Sequence, residues 1–540
     1  MTTLAHPPMT DTLVYTKRLA SLGLLALALS GAAHAGEPWI APGNVQVRHD
    51  IQLLVDGGVI NLPTTYWPIA TSDLANALSH LSHNVGEVDR RSGEGDSHLS
   101  RVGTGEVAQS AGEGALSAPQ LAAIARLRRI ASEGTSTIGF ELDAAARPTT
   151  LRTFEDTPRE EGELTAYAAG FFGNRFGGRL EVTAAIDPDD DEAVRLDGSY
   201  AAAKLGNWIV TLGAQERWWG SGWEGSLILS TNPRPVPAIA LDRAVSTPFE
   251  TKWLSWIGPW RLTTFMGRME GDREDYDHPL LWGMRISARP LEGLELSVDR
   301  TAQWCGEGRS CTLDDFWNVL SGNDNAGENV DPEDEPGNQL ASYEIRWASP
   351  IGDGNYAAYF QHTGESIDNN IPRPYRSLDL AGVELWGDTS TSGASWRTVF
   401  EWAQTRCGGT ENGEKLWDCA YNNAIFNPDG YRYYGRPLGH SMDGDGEMYS
   451  ARFVRVDAAA NTFSAVGRYS KINQGGAVPD TRHSIAPGPE QWIGLDLSYR
   501  RVIGKGWIEG GIGIDQRDRD WNDTDSTLPR MWLSWTAPLR

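Results

Sequence analysis

Hydrophobic positions along this chain follow two rhythms. From Asn44 to Val59, the apolar residues Val47, Ile51, Leu54 and Val55 fall at i, i+4, i+7 and i+8, the spacing of one helix face. Gly57 and Gly58 would end that helix. Leu74, Leu78 and Leu81 suggest a second helix. A third is expected to begin at Ser117, which forms a capping box with Gln120 ahead of Leu121, Ile124 and Leu127. Residues 85–116 are rich in Gly, Ser and charge and read as a flexible loop. Residues 36–134 therefore form a small helical region.

After Thr135 the period becomes two. In 179–187, Leu180, Val182, Ala184 and Ile186 alternate with Arg179, Glu181, Thr183 and Asp187. Leu294, Leu296 and Val298 alternate with Glu295, Ser297 and Asp299. Tyr343, Ile345 and Trp347 alternate with Glu344 and Arg346. The same holds in 493–500 and, around glycines, in 508–515. Successive side chains of a strand point to opposite faces, so each segment has one apolar and one charged wall. So many charges on strands, with large aromatics near the strand ends, suit a transmembrane barrel better than a soluble sandwich.

The connections alternate in length. Short turns are expected near 173–174, 205–207, 290–293, 350–355, 389–393, 457–461 and 503–506. Long ones fall between them, at 148–162, 304–338, 364–375, 405–445, 472–488 and 516–527. A barrel with a periplasmic N-terminus alternates short periplasmic turns with longer outer loops in this way. The parity requires one further strand near Val236–Arg243, despite Pro237. That gives about 18 strands, an even number, as in single-chain bacterial barrels. Residues 135–540 thus read as an all-β, antiparallel transmembrane barrel, with the helical region at its periplasmic end. One departure is the C-terminus, which ends Ala537-Pro538-Leu539-Arg540 where such barrels often end in an aromatic residue.

Composition narrows the picture. The chain has 540 residues and a formal net charge of −25. Past the N-terminus no apolar run is long enough to cross a bilayer as a helix. Strong acidity argues against nucleic acid as a partner and requires that a polyanionic ligand meet local basic patches. Lys17 and Arg18 precede an apolar run from Leu19 to Leu29, and Ala33-His34-Ala35 supplies a small-x-small cleavage pattern. Residues 1–35 therefore read as a secretory signal, with Met9 an alternative start. The four cysteines form two local pairs, Cys305 with Cys311 and Cys407 with Cys419, both in expected outer loops. An even count in an exported chain reads as disulfides. No C-x-x-C motif or histidine cluster points to a metal.

The most distinctive stretch is 217–260, RWWGSGWEGSLILSTNPRPVPAIALDRAVSTPFETKWLSWIGPW. Gly220, Gly222 and Gly225 free its backbone, while Pro233, Pro235 and Pro237 bar a central strand. Trp218, Trp219 and Trp223 read either as packing and membrane-interface anchors or as a platform for a flat ligand. In the second reading Arg217, Arg234 and Arg243 supply charge-assisted hydrogen bonds.

The segment resembles the Wzi-type capsule assembly proteins of the outer membrane. The resemblance rests on Trp218-Trp219-Gly220-Ser221-Gly222, Leu227-Ile228-Leu229-Ser230, Asn232-Pro233-Arg234-Pro235 and Trp253-Leu254-Ser255-Trp256-Ile257-Gly258-Pro259-Trp260. The stretch from Val47 to Ile60, with Trp67-Pro68, is similar to that family's N-terminal region. The resemblance implies an outer-membrane barrel that binds surface polysaccharide and helps attach capsule.

Two outer loops carry chemistry of that kind. In 430–437, Tyr431, Tyr433 and Tyr434 stand beside Arg432 and Arg436, and in 371–376, Tyr375 stands beside Arg373 and Arg376. Rings stack on the apolar faces of sugars, and arginine forks onto carboxylates. The charged strand positions Glu181, Glu295, Asp299, Glu344, Asp496, Glu509 and Asp515 read as a hydrated wall paired with Arg179, Arg346 and Arg500, rather than as a glycosidase pair. Gly439-His440-Ser441-Met442-Asp443 lacks the second glycine of a nucleophile elbow. The acidic turns 187–192 and 443–447 lack the spacing of a calcium loop and read as solvated. The sequence therefore points to a non-catalytic, cofactor-free, monomeric barrel whose partners are surface polysaccharide and outer-membrane lipid. A diffusion porin and an outer-membrane hydrolase are the alternatives.

Overall fold

The computed structural model describes residues 37–79, 81, 116–133, 138–173, 175–321, 337–352, 354–367, 374–389, 393–407, 410–411, 414–415, 417–423, 426–476 and 483–539. The expected signal peptide and nearly all of the expected loop 85–116 lie outside these residues.

Eighteen antiparallel strands close into one barrel. The first nine are β1 (Ile138–Ala146), β2 (Gly162–Phe172), β3 (Phe176–Ile186), β4 (Tyr200–Leu205, with Val194–Arg195 also paired to β3), β5 (Trp208–Gly213), β6 (Ala238–Arg243), β7 (Trp260–Arg268), β8 (Leu280–Leu291) and β9 (Leu294–Trp304). The rest are β10 (Gly337–Ala348), β11 (Tyr356–Ile367), β12 (Pro374–Thr389), β13 (Ala394–Gln404), β14 (Glu447–Val456), β15 (Thr462–Ile472), β16 (Glu490–Ile503), β17 (Gly506–Arg519) and β18 (Thr524–Pro538). β18 pairs with β1, from Met531 opposite Ala146 to Pro538 opposite Gly139, so closure does not need a terminal aromatic. β6 begins just after Pro237, whose carbonyl accepts the Arg268 N–H at 3.0 Å.

Burial is inside-out. On β9, Glu295 and Asp299 face the lumen and are 1% exposed, whereas Val298 faces outward and is 53% exposed. Ile286, Phe360, Val383, Phe400, Ile493, Leu495, Ile512 and Leu533 continue the outward apolar belt. Trp347 and Trp535 flank it at one end, Tyr449 and Tyr469 at the other. Such a surface is stable only against hydrocarbon, and only a closed ladder leaves no unpaired backbone there.

The alternation of short turns and long connections holds with three adjustments. Residues 520–523 suffice where 516–527 was expected to loop, because β17 and β18 have 14 and 15 residues. A spanning strand needs roughly 9–11, so their polar ends rise into water as a hairpin. Residues 364–375 likewise shrink to 368–373. The connection 244–259, at the short-turn end, is long and contains a 3-10 turn at Ser255–Ile257.

Four helices accompany the barrel in the described residues: α1 (Val45–Asp56), α2 (71–79), α3 (Ala118–Glu133) and α4 (Leu313–Ser321). Asn44 caps α1 by accepting the Val47 N–H at 3.1 Å, and Ser117 and Gln120 exchange their expected reciprocal bonds at α3. The sequence of α1 has an apolar and a polar face, yet both are buried. Its polar face meets the charged inner wall rather than water. Asp56 receives Arg346 of β10 at 2.7 Å and Arg397 of β13 at 3.0 Å, and His49 Nε2 lies 2.8 Å from Ser395 Oγ. Arg126 of α3 forks onto Asp50 at 2.7 Å and donates to the Asp457 carbonyl in the turn before β15. The helical region is thus set into the short-turn mouth.

Candidate functional site

The tryptophan-rich segment decides what the barrel can do. Residues 214–237 leave β5, descend inside the lumen and return to β6. Trp218 and Trp219 pair with Trp67 and Tyr66 of the N-terminal region. With so little ladder of its own, this segment must satisfy its amides elsewhere, and wall carboxylates do so. Glu344 accepts the Ser221 N–H, and Glu401 accepts those of Trp223 and Glu224 at 2.7 and 3.1 Å. Glu224 in turn holds Arg452 at 2.5 Å and Arg468 at 2.7 Å. Burial alone would raise its pKa, but the two guanidiniums hold it at about 2. The other wall carboxylates singled out by the sequence are also paired: Glu181 with Arg179, Glu295 with Arg289, Asp299 with Arg285, Asp496 and Asp515 with Arg530, and Glu509 with Arg500. They are structural.

From the other end, the connection 405–446 closes over this plug. The Tyr421 hydroxyl donates to the Leu227 carbonyl at 2.8 Å and that of Tyr431 to Ile228 at 3.0 Å. The Ser230 N–H donates to Leu438 at 2.7 Å and the Asn232 amide to Pro437 at 3.0 Å. Arg432 forks onto Asp443 at 2.6 and 3.0 Å. Burial would raise the Asp443 pKa, and Arg432 and His483 keep it well below the usual carboxylate range. The Cys407–Cys419 bridge fixes the start of this connection, and Cys305–Cys311 closes the turn after β9.

Polar and aromatic side chains reach the surface where the plug meets this cover. Arg432–Tyr433 and Arg436–Pro437 form a two-residue hairpin. Its turn residues Tyr434 and Gly435 have φ of 47° and 71°, a type I′ geometry that favours Asn or Gly. The left-handed Tyr434 lays its half-buried ring 4.8 Å below the Arg234 guanidinium. Arg234 also forks onto Asp197 at 2.7 and 3.1 Å and reaches Asp190 at 2.9 Å. Burial would raise the Asp190 pKa, but Arg234 and Arg195 lower it. Arg436 reaches Asp189 at 3.0 Å and stays partly exposed. The surface offers one ring, two guanidiniums and adjoining carboxylates.

Residues 135–527 match the family described as capsule assembly protein Wzi. The chain belongs to that family. A Klebsiella pneumoniae relative, an uncharacterized 55.8 kDa protein in the cps region, is 26% identical over 472 residues, spanning 86% of this chain and 82% of that protein. The solved structure of the Escherichia coli protein Wzi, an outer membrane protein involved in group 1 capsule assembly and a carbohydrate-binding β-barrel, superposes with a TM-score of 0.75. That match covers 94% of this chain and all of the other at 21% identity, and shows a shared fold.

Within this family member the sequence-derived candidates separate into two groups. Trp218, Trp219 and Trp223 are not an open platform. All three are fully buried, packed against Phe154 and Phe265 and, for Trp223, under Arg48 at 4.3 Å. Arg243 lies at the short-turn end, away from the other candidates, bonded to the Thr247 and Trp260 carbonyls. Tyr431 and Arg432 are buried braces, and Tyr433 is buried edge-on to Tyr434. Arg234, Tyr434 and Arg436 remain at the surface. Arg376 is half-buried on β12 with φ 57°. Arg373 and the side chain of Tyr375 lie outside the described residues.

The acidic turn 187–192 is solvated as expected at Asp187, Asp189, Asp191 and Glu192. It is not only solvated, because Asp190 meets Arg195 and Arg234, and the exposed Asp189 meets Arg436. The surplus acid was visible in the sequence, whereas the arginines that meet it are scattered at 195, 234 and 436. The 443–447 turn is likewise occupied, by Arg432. No cluster of three metal-ligating side chains exists among the described residues. His440 and Ser441 are buried, with His440 Nδ1 accepting the Met442 N–H at 3.2 Å. Burial lowers the His440 pKa to about 4.

Proposed function

We propose that this chain is a non-catalytic outer-membrane receptor for extracellular polysaccharide that aids capsule assembly or surface attachment. The observation that carries the reading is the filled lumen. Trp218, Trp219, Trp223 and their neighbours occupy the path a solute would take, which argues against a diffusion porin. The short-turn end, with α1 to α3, faces the periplasm, and the long connections face outward. Function is then left to the outer surface, where Arg234, Tyr434 and Arg436 offer stacking and charge-assisted hydrogen bonds to an acidic sugar chain. Family membership and the carbohydrate-binding E. coli structure support the same assignment. Against a hydrolase stands the burial of Ser441 and His440 beneath the surface.

The test is the double variant Tyr434→Ala/Arg436→Ala. Loss of a stacking ring and an exposed guanidinium is expected to weaken binding of purified capsule polymer about tenfold, on the order of 1–2 kcal/mol, with the barrel assembled as before. A deletion strain should shed polymer that wild-type cells retain. Unchanged binding by the variant removes this surface from consideration, and unchanged retention in the deletion strain removes the function.

A further inference from the structure

Helix α4 belongs to an outer connection, yet it does not stand above the barrel. It folds back over the outward face of the wall. On β9 the outward residues are Leu296, Val298, Arg300, Ala302 and Trp304, since Glu295, Asp299 and Gln303 bond groups inside the lumen. Val298 is exposed, but Ala302 and Trp304, together with Trp282 on β8, are buried. What covers them is α4. Phe316 packs 5.1 Å from Trp304 and 6.0 Å from Trp282, and Val319 and Leu320 join the same cluster.

The helix is fixed at both ends. Thr312 and Asp315 cap its start, with Asp315 N–H to Thr312 Oγ1 at 3.2 Å and Thr312 N–H to Asp315 Oδ2 at 2.7 Å. The Cys305–Cys311 bridge ties that start to the top of β9. At the other end Arg300 donates to the last carbonyls, Val319 at 2.8 Å and Leu320 at 3.0 Å, a cation at a helix C-terminus. From Trp304 to Arg300 is four strand residues, roughly 13 Å, and the nine-residue helix has about the same length. The helix therefore runs down the wall, from the rim into the upper edge of the apolar belt.

Its apolar arc is wider than the wall covers. Phe316, Val319 and Leu320 face the barrel. Leu313 and Trp317, one position further round the helix, are 85% and 64% exposed. Asp314 and Asn318 form the opposite, polar side. We infer that α4 is an interfacial strap seated in the outward-facing lipid leaflet, with Leu313 and Trp317 in contact with the acyl and head-group boundary. Lipid is the occupant because the exposed arc is continuous with the belt at Val298 and Ile286, and because Trp is the residue that favours this boundary. A lone polar-flanked pair is too narrow to make a stable protein interface, which buries about 800 Å² on each partner.

The experiment reconstitutes the whole protein in phosphatidylcholine vesicles containing a phosphatidylcholine with a photoreactive diazirine on its acyl chain. Labelled peptides are mapped by mass spectrometry. Insertion is expected both at the belt residue Val298 and at Leu313 or Trp317. In the variant Leu313→Glu/Trp317→Glu, whose two positions are exposed and lie outside the buried cluster under the helix, the helix label should fall at least tenfold while the Val298 label persists. Label at Val298 with none on the wild-type helix overturns the inference, as does cross-linking of the helix peptide to a second copy in place of lipid. Equal helix labelling in wild type and variant overturns it as well.

Discussion

Glu224 is the point at which the plug is most exposed to a single substitution. It is 1% exposed and is the carboxylate shared by Arg452 and Arg468, two arginines that project inward from adjacent strands. Glu224→Gln preserves shape and removes the charge. Breaking a buried pair by deleting one partner costs about 3–5 kcal/mol. The lower figure applies here, because Arg452 keeps Glu155 and Arg468 keeps Asp496. Linkage gives a separate figure. The carboxyl is held at about 2 against an ordinary 4.5, and that gap converts to about 3 kcal/mol. The pKa is depressed, so the stabilisation is fully present above pH 4.5 and is lost as pH falls towards 2. A loss of about 3 kcal/mol shifts the equilibrium between seated and released plug roughly a hundredfold. The wall ladder does not depend on this residue, so the barrel should still assemble. Single-barrel recordings in planar bilayers are the assay. The variant should show open events roughly a hundred times more often than wild type at neutral pH. Wild type should acquire them on acidification from pH 4.5 towards 2, and the variant, which lacks the Glu224 contribution, should respond less steeply over that window, because Asp443 is also held down by its arginine. A variant that stays closed at neutral pH refutes the assignment of Glu224 as the plug's anchor.

Two further outcomes follow from the same geometry. Asp56→Asn leaves Arg346 and Arg397 sharing only Glu384, so α1 should loosen from the wall by about 3 kcal/mol. Limited proteolysis of folded protein should then cut within residues 37–79 well before wild type does, and equal protection would contradict it. Val298→Arg places a charge on the lipid face near the middle of β9, at a cost of about 2–4 kcal/mol. Its unfolding midpoint in urea should drop in lipid vesicles, whereas arginine at the water-exposed, polar position Asp518 on β17 should leave the midpoint unchanged.

The period-two alternation, the even strand count and the division into short and long connections were all legible in the chain. Each depends on local spacing, and a strand's two faces are set by the residue next door. The helix cap at Ser117 was legible for the same reason. Three matters were not. The polar face of α1 has the spacing of a solvent-facing side, but it is matched by ion pairs to Arg346 and Arg397 and by a hydrogen bond to Ser395 on distant strands. Trp218, Trp219 and Trp223 have the composition of a ligand platform, and only folding the segment into the lumen turned them into packing. The stretch 304–338 reads only as a long connection and gives no sign of the helix that turns outward over Trp282 and Trp304. Spacing along a chain tells which residues share a face. Whether that face meets water, lipid or another part of the same molecule depends on contacts between residues hundreds of positions apart, and only the closed barrel brings those together.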